Sequence, residues 1–290
     1  MAAQERMTVL VLGATGMLGN AVFRYFATRD HHSVVGTARS KASAELLPAS
    51  LRKHALTDVD VDSQDNLTRL FAQVRPSVVI NCIGLVKQLA EAGEPLFAIP
   101  TNSLLPHRLA RLCELAGARL VHISTDCVFS GRKGSYREED AADAEDLYGR
   151  SKLLGEVDYP HAVTLRTSII GHELRGAHGL IGWFLSQEGS ARGYRKAIFS
   201  GLPTIELARV IHDFVLPARD LRGLYHVSAD PIDKDTLLRL VAQVYSKSIE
   251  IAPDEKVVID RSLDSSRFRA ATGYVAPAWP ALISQMHAFG

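Results

Sequence analysis

Thr8-Val9-Leu10-Val11-Leu12-Gly13-Ala14-Thr15-Gly16-Met17-Leu18-Gly19 runs without a break from an apolar, β-branched stretch into a glycine-rich turn. It continues into a segment with helical spacing, Met17 to Phe26. That is strand, tight turn, helix. Glycine allows the tight turn, lets a backbone come close to a diphosphate and permits close packing of the helix. The helix N-terminus adds amide donors and the positive end of a dipole, both suited to phosphate. A glycine motif directly after a first strand and opening a first helix marks a dinucleotide site. Gly13, Thr15, Gly16, Met17, Leu18 and Gly19 are expected to line it.

Outward from that turn the same pattern repeats. A second apolar run, Ser33 to Ala38, ends at Arg39. Asp62 to Val74 reads as a polar-capped helix with Leu67, Leu70, Phe71 and Val74 inward, followed by Pro76 and a strand from Ser77 to Ile80. Leu105, Leu109, Leu112 and Ala116 have helical spacing, and Leu120 to Ile123 and Ala162 to Leu165 read as further strands. Continuous apolar strands alternating with amphipathic helices describe a parallel sheet covered on both faces, a Rossmann-like doubly wound α/β fold. Such a sheet binds ligands beyond the carboxyl ends of its strands, where Gly13, Arg39, Asn81, Thr125 and Arg166 all fall.

After Arg166 the alternation becomes irregular. Gly171 to Gly182 is rich in glycine and histidine and leads to Trp183-Phe184, and Gly193 to Ser200 follows Arg192 and carries Arg195 and Lys196. Ile205 to Leu216 reads as a returning helix, Leu224 to Val227 as a strand and Asp233 to Tyr245 as another helix. Residues 1–166, with 205–227 returning to them, are expected to form the dinucleotide-binding domain. Residues 167–204 and 228–290 are expected to form a smaller C-terminal substrate lobe.

Composition bounds the function. The 290 residues are 47% hydrophobic and 22% charged, ordinary for a globular protein and enough for a large core. Lys+Arg 33 against Asp+Glu 32 leaves +1, so no global field draws in nucleic acid or an anionic membrane. Cys82, Cys113 and Cys127 are odd in number and widely spaced in apolar segments, and read as reduced, buried thiols of a cytoplasmic protein. Met1 to Met7 is polar, no apolar run reaches membrane-spanning length, and no histidine spacing suggests a metal site.

The chemistry-bearing pattern is Tyr148-Gly149-Arg150-Ser151-Lys152, downstream of Ser124-Thr125-Asp126. On a helix, residues four apart share a face about 6 Å apart along the axis, so the ammonium can bias the phenol's ionisation. A phenol's reference pKa of about 10 is too high for proton loss near neutrality, and a fixed cation lowers it. A hydroxyl from Thr125 could hydrogen-bond the same substrate oxygen. The pair alone is a weak signal; its combination with the glycine turn is what carries weight.

The turn's Gly-x-x-Gly-x-x-Gly spacing differs from the commoner Gly-x-Gly-x-x-Gly. Where that commoner fold often has an acid at the end of its second strand, this chain reads Thr37-Ala38-Arg39-Ser40. An arginine there would pair with a 2′-phosphate, which favours NADPH while leaving NAD open.

With these motifs in this order, the chain resembles the extended short-chain dehydrogenase/reductases, and more narrowly the dTDP-4-dehydrorhamnose reductase group. The resemblance covers nearly the full length. It is closest at Ser124-Thr125-Asp126-Cys127-Val128-Phe129-Ser130-Gly131, Tyr148 to Glu156, Leu165-Arg166-Thr167-Ser168, Pro203-Thr204, Gly223 to Val227 and Arg261-Ser262-Leu263-Asp264. It implies that Thr125 orients a carbonyl, Tyr148 donates the proton, and Lys152 binds the nicotinamide ribose and lowers the Tyr148 pKa. It further implies adenine contacts from Asp60-Val61 and ribose contacts from Cys82-Ile83-Gly84.

Two positions depart from the group. Cys127 stands where an aromatic residue is usual, and Leu85-Val86-Lys87-Gln88 replaces a Tyr-Thr and acidic run. Both bear on which sugar is recognised. A sugar-nucleotide 4,6-dehydratase needs an Asp-Glu pair after the threonine, and Cys127 cannot readily do that carboxylate's work.

The resemblance implies reduction of a keto group on a nucleotide-linked deoxysugar in surface polysaccharide precursor synthesis, in a chain compatible with a homodimer. Arg192, Arg195, Lys196, Arg261 and Arg267 are candidates for the substrate diphosphate, and Trp183 for stacking on a base or sugar. Two alternatives stay open: an epimerase retaining NAD, and a non-catalytic NADP-binding regulatory subunit like that of methionine adenosyltransferase.

Overall fold

Thr8–Leu12, with four of its five residues buried, forms β1 near the middle of a seven-stranded sheet. The computed structural model describes residues 6–29, 32–85 and 90–290. Around β1 lie β2 (Ser33–Thr37), β3 (Ala55–Leu56), β4 (Val78–Asn81), β5 (Arg119–Thr125), β6 (Ala162–Thr167) and a last strand, Gly223–His226. The order is Gly223–His226, β6, β5, β4, β1, β2, β3. β1 runs parallel to both neighbours, with Val9 opposite Val34 on one side and Val78 on the other. Strand order reverses between β1 and β4, which makes the end of β1 a topological switch point.

The helices cover the sheet because their apolar residues recur every three or four positions. Leu67, Leu70 and Phe71 of the Gln64–Val74 helix join Leu105, Leu109 and Leu112 of the Leu105–Ala116 helix in one core with Leu10, Leu12, Val79 and Leu120. The first of these helices starts at Gln64 and not at Asp62, because Ser63 accepts the Asn66 N–H at 3.3 Å and so caps it. The second ends at Gly117, which takes the left-handed conformation. The short pieces Ala55–Leu56, Lys41–Ala44 and Ala49–Arg52, and the π turn Ile99–Leu104, carry too few residues for a periodic signal.

The chain divides into two compact units. The first comprises Met1–Ser124, Asp146–Leu165 and Asp220–Leu224, and the second Thr125–Glu145, Arg166–Arg219 and Tyr225–Gly290. Residues 125–145 and 205–219, expected with the sheet, thus group with the second unit. Their bonds explain it. The Tyr136 and Ser135 N–H groups donate to the Ser262 carbonyl and hydroxyl, both at 2.8 Å. Glu206, wholly buried, accepts Arg209 at 2.9 and 2.6 Å and the Tyr274 hydroxyl at 2.9 Å.

The second unit contains β7 (Ile169–Ile170), β8 (Ser190–Tyr194), β9 (Ala197–Phe199), β10 (Leu202–Pro203), β12 (Ile232–Asp233), β13 (Glu250–Asp254) and β14 (Ile259–Asp260), with Gly223–His226 counted as β11. They pair as β10–β7, β12–β9–β14 and β13–β8. The basic Arg192 to Ser200 stretch is therefore mostly strand. The expected Ile205–Leu216 helix is α-helical from Thr204 to Val210 and then opens into a π turn, Ile211–Val215.

The three turn glycines have different physical jobs. Gly13 has φ +78°, and a Cβ on Gly19 would lie 2.0 Å from the Gly13 carbonyl oxygen, whereas on Gly16 it would meet only that oxygen at 3.4 Å. Gly19→Ala is therefore expected to destabilise the protein by about 1–3 kcal/mol, and Gly16→Ala by under about 1 kcal/mol. Urea midpoints of the two variants check the ranking.

Candidate active site

In the first unit, Thr37 fixes the glycine turn. The Gly13 N–H donates to the Thr37 hydroxyl at 3.1 Å and the Ala14 N–H to the Thr37 carbonyl at 2.9 Å. A Cβ on Gly13 would sit 2.9 Å from the Ile83 side chain, so the second residue after β4 lies directly against the turn. Gly16 is exposed and begins the Met17–Ala27 helix with no side-chain cap. Thr15 and Met17 are half-buried beside it, while Leu18 and Gly19 face the core. The Val59 N–H donates to the Ala38 carbonyl at 3.2 Å, bringing the Asp60-Val61 loop beside the end of β2, where Arg39 is exposed. Val61 packs on the core, and Asp60 accepts the Asp62 N–H at 3.0 Å.

The Leu147–Leu154 helix carries Tyr148 and Lys152. Asp146 caps it, accepting the Gly149 N–H at 2.7 Å. Asn102 couples this helix to the segment after β4: its amide nitrogen donates to the Ser151 hydroxyl at 3.1 Å and its oxygen accepts the Leu85 N–H at 3.0 Å. A Cβ on Gly155 would fall 1.9 Å from the Asn102 carbonyl, so only glycine allows the approach. A Cβ on Gly84 would sit 3.6 Å from Lys152 Nζ. Cys82-Ile83-Gly84, the glycine turn and Lys152 thus converge at the carboxyl ends of β1 and β4.

Lys152 is buried at 5% exposure, and its ammonium donates to the Ile123 carbonyl at 2.8 Å. Burial lowers its pKa to about 8, opposed by the negative charge of Glu156 and by Cys82. Around the Cys82 sulfur, burial pushes the thiol up to about 12, and Lys152 pulls it back in part. Glu156 accepts the Ser124 hydroxyl at 2.6 Å. His122 is fully enclosed, its Nδ1 3.1 Å from the Asn81 amide, and burial followed by the Lys152 charge holds its pKa well below the ordinary value. It is neutral. Tyr148 is half-buried.

In the second unit, Thr125 opens a short turn, Asp126–Val128. Its hydroxyl donates to Asp126 at 3.2 Å and accepts the Cys127 N–H at 3.1 Å. Burial raises the Asp126 pKa; the Arg261 charge and hydrogen bonds from Thr125, Cys127 and Ser168 oppose the rise. The diphosphate candidates have other partners here. Arg192 pairs with Asp254 at 3.6 Å, Lys196 with Glu255 at 2.9 Å, and Arg261 Nε donates to the Phe129 carbonyl at 2.8 Å. Arg195 donates its N–H to the Asp254 carbonyl at 2.9 Å, and Arg267 lies 5.1 Å above the Tyr225 ring. Trp183 is half-buried beside the buried Phe184.

Cys113 is buried as a whole residue, whereas Cys82 and Cys127 are partly exposed, although the Cys82 sulfur itself is enclosed. Both stand where the chain leaves the sheet after β4 and β5. Of the departing loop, Leu85 is half-buried, and Val86-Lys87-Gln88 lies outside the described residues. Among the described residues no group of acidic, histidine and cysteine side chains could hold a metal, and no helix is long and apolar enough to cross a membrane. Asn102 and Glu156 are the supporting residues that sequence reasoning missed. Glu156 stands four residues beyond Lys152, a spacing that could have revealed it; Asn102 carries no local signal.

A nucleotide-binding α/β sheet with a Tyr-x-x-x-Lys helix is the class this fold defines. The family model described as RmlD substrate binding domain matches residues 7–236. The chain belongs to that family, the dTDP-4-dehydrorhamnose reductase-like branch of the extended short-chain dehydrogenase/reductases. It is 31% identical over 239 residues to methionine adenosyltransferase 2 subunit beta of Danio rerio, covering 76% of this chain and 68% of that protein. It is 32% identical over 169 residues to a probable low-salt glycan biosynthesis reductase of Haloferax volcanii, covering 57% and 54%. A dTDP-4-dehydrorhamnose reductase of Bacillus anthracis, solved in complex with NADP, superimposes over 99% of both chains with a TM-score of 0.81 at 19% identity.

The Lys152 shift has a signed consequence. Between about 8 and the ordinary 10.5 the folded lysine binds fewer protons than the unfolded one, so its contribution to stability rises with pH across that window. The charged form costs on the order of 3 kcal/mol below it. Urea unfolding at a series of pH values is expected to show this rise in the wild type and its loss in Lys152→Met.

Proposed function

We propose that the protein is an NADPH-dependent reductase of a keto group on a nucleotide-linked deoxysugar, serving surface polysaccharide precursor synthesis. The observation that carries this reading is the convergence of the glycine turn, Cys82-Ile83-Gly84 and the buried Lys152 ammonium on one sheet edge. The residues suit a dinucleotide: Gly16 leaves a helix N-terminus exposed and uncapped for a diphosphate, and Arg39 offers an exposed guanidinium for a 2′-phosphate. Asp60 and Val61 are assigned to the adenine, and Cys82, Ile83, Gly84 and Lys152 to the nicotinamide ribose. Bound there, reduced nicotinamide supplies the hydride.

The chain's own residues then manage charge and proton. As negative charge grows on the ketone oxygen, the Thr125 hydroxyl turns from Asp126 to hold it and Tyr148 delivers a proton to it. Lys152 keeps a positive charge near the phenol, so that phenolate is accessible and Tyr148 can be reprotonated. Glu156 supports this by favouring the charged form of Lys152.

The similarity to methionine adenosyltransferase 2 subunit beta favours a second reading, a non-catalytic NADP-binding regulatory subunit. Retention of Thr125, Tyr148 and Lys152 together supports catalysis. An epimerase retaining NAD is disfavoured by Arg39.

Incubation with NADPH and a panel of 4-keto nucleotide sugars, following loss of nicotinamide absorbance, tests the reading. Stoichiometric NADPH consumption is expected; tight NADPH binding without turnover of any sugar, in a protein that co-purifies with another enzyme, would reverse the ranking. Tyr148→Phe is expected to abolish turnover with NADPH affinity nearly intact, and unchanged turnover would remove Tyr148 as the acid. Arg39→Ala is expected to weaken NADPH at least tenfold more than NADH, about the worth of one charge-assisted pair, as read by fluorescence titration.

A further inference from the structure

Asn81 and His122 stand opposite each other on β4 and β5, and neither has any exposed surface. The Asn81 side-chain oxygen accepts the Ile83 N–H at 3.1 Å, and its amide nitrogen lies 3.1 Å from His122 Nδ1. A carboxamide has one accepting end and one donating end, so these two bonds fix each other. With the oxygen committed to Ile83, the NH2 group faces the ring, and Nδ1 must be the bare nitrogen that receives it. The ring proton is then on Nε2.

That choice has a cost. Among the described residues no protein group answers His122 Nε2. A buried donor left without a protein partner costs about 1–3 kcal/mol, which an apolar residue like its neighbours Val121 and Ile123 would avoid. The other tautomer gives no relief, because Nδ1–H would confront the Asn81 NH2 group. Turning that amide over would set NH2 against the Ile83 N–H instead. What the histidine maintains is therefore the place of Ile83. The Ile83 side chain lies against the glycine turn, where a Cβ on Gly13 would come within 2.9 Å of it, and the Cys82 N–H donates to the Leu12 carbonyl at 3.2 Å. One residue further along β5, the Ile123 carbonyl accepts the Lys152 ammonium at 2.8 Å.

We propose that His122 is a positioning residue for the cofactor: its bare Nδ1 holds the Asn81 amide in the one orientation that fastens Ile83, and so sets Cys82-Ile83-Gly84 against the glycine turn. The proposal rests on the assignment of that segment to the nicotinamide ribose. His122 acts through Asn81 and not on the reacting atoms. What matters at this point is an acceptor, not an imidazole as such. Asparagine at position 122 carries its oxygen on the same Cγ that bears Nδ1 in histidine, and can take the same bond. Leucine fills the space without an acceptor, and the Asn81 amide loses its anchor.

Calorimetric titration of the full chain with NADPH and with 2′,5′-ADP, the adenine half alone, separates positioning from general damage. His122→Leu is expected to weaken NADPH by about tenfold, the scale of one lost hydrogen bond, and 2′,5′-ADP by under about twofold. His122→Asn is expected to bind both as the wild type does. Nitrogen NMR of the histidine rings gives a second readout, the His122 signals being those absent from His122→Asn. Nδ1 is expected to be bare in the wild type and protonated in Asn81→Asp, where a carboxylate can only accept. These signals decide the matter where His122→Leu does not fold. Unchanged NADPH affinity or equal loss of both ligands in His122→Leu, no recovery in His122→Asn, or a protonated Nδ1 in the wild type overturns this proposal and leaves the reductase reading standing. A wild type that binds no NADPH overturns the two together.

Discussion

A lysine ammonium enclosed by protein and donated to the Ile123 carbonyl is the constraint on which the first unit turns. Its burial depresses the charged form, and without Glu156 and the carbonyl that form would be costlier still. Much of the surrounding structure reads as support for it. Asn102 holds both the Leu147–Leu154 helix and Leu85, while Gly155 lets the Asn102 backbone come within reach. Gly84 gives room beside Nζ. The neutral His122, on β5 beside Asn81, adds no second charge.

The sheet makes this arrangement economical. With strand order reversing between β1 and β4, two loops leave the same edge in opposite directions. One is the glycine turn, the other Cys82-Ile83-Gly84, and Gly13 meets Ile83 because neither loop can occupy the other's path. A helix N-terminus without a side-chain cap, at Gly16, and an ammonium at Lys152 are then presented by rigid elements, which is how a fold prepares a site for a charged ligand before it arrives.

The second unit solves a different problem, that of keeping charges in partly dry surroundings. Glu206 is enclosed but answered by a two-pronged Arg209 and the Tyr274 hydroxyl. Asp126 is answered more than once, by the Arg261 charge and by hydrogen bonds from Thr125, Cys127 and Ser168.

Sequence by itself determined the strand–turn–helix at Thr8 to Phe26, the parallel sheet and the Tyr148–Lys152 pair, because each is written in local periodicity or fixed spacing. It also reached Glu206 and Lys234 only as members of helices, without their partners. Tertiary structure alone decided that Ser262 and Tyr274 tie residues 125–145 and 205–219 into the second unit, that Asn102 fastens Ser151, and that Arg261 reaches the Phe129 carbonyl. The physical reason is common to all of these. They are contacts between residues tens of positions apart, fixed by which hydrogen bonds a buried polar group can find once the chain has closed, and no local pattern encodes that choice.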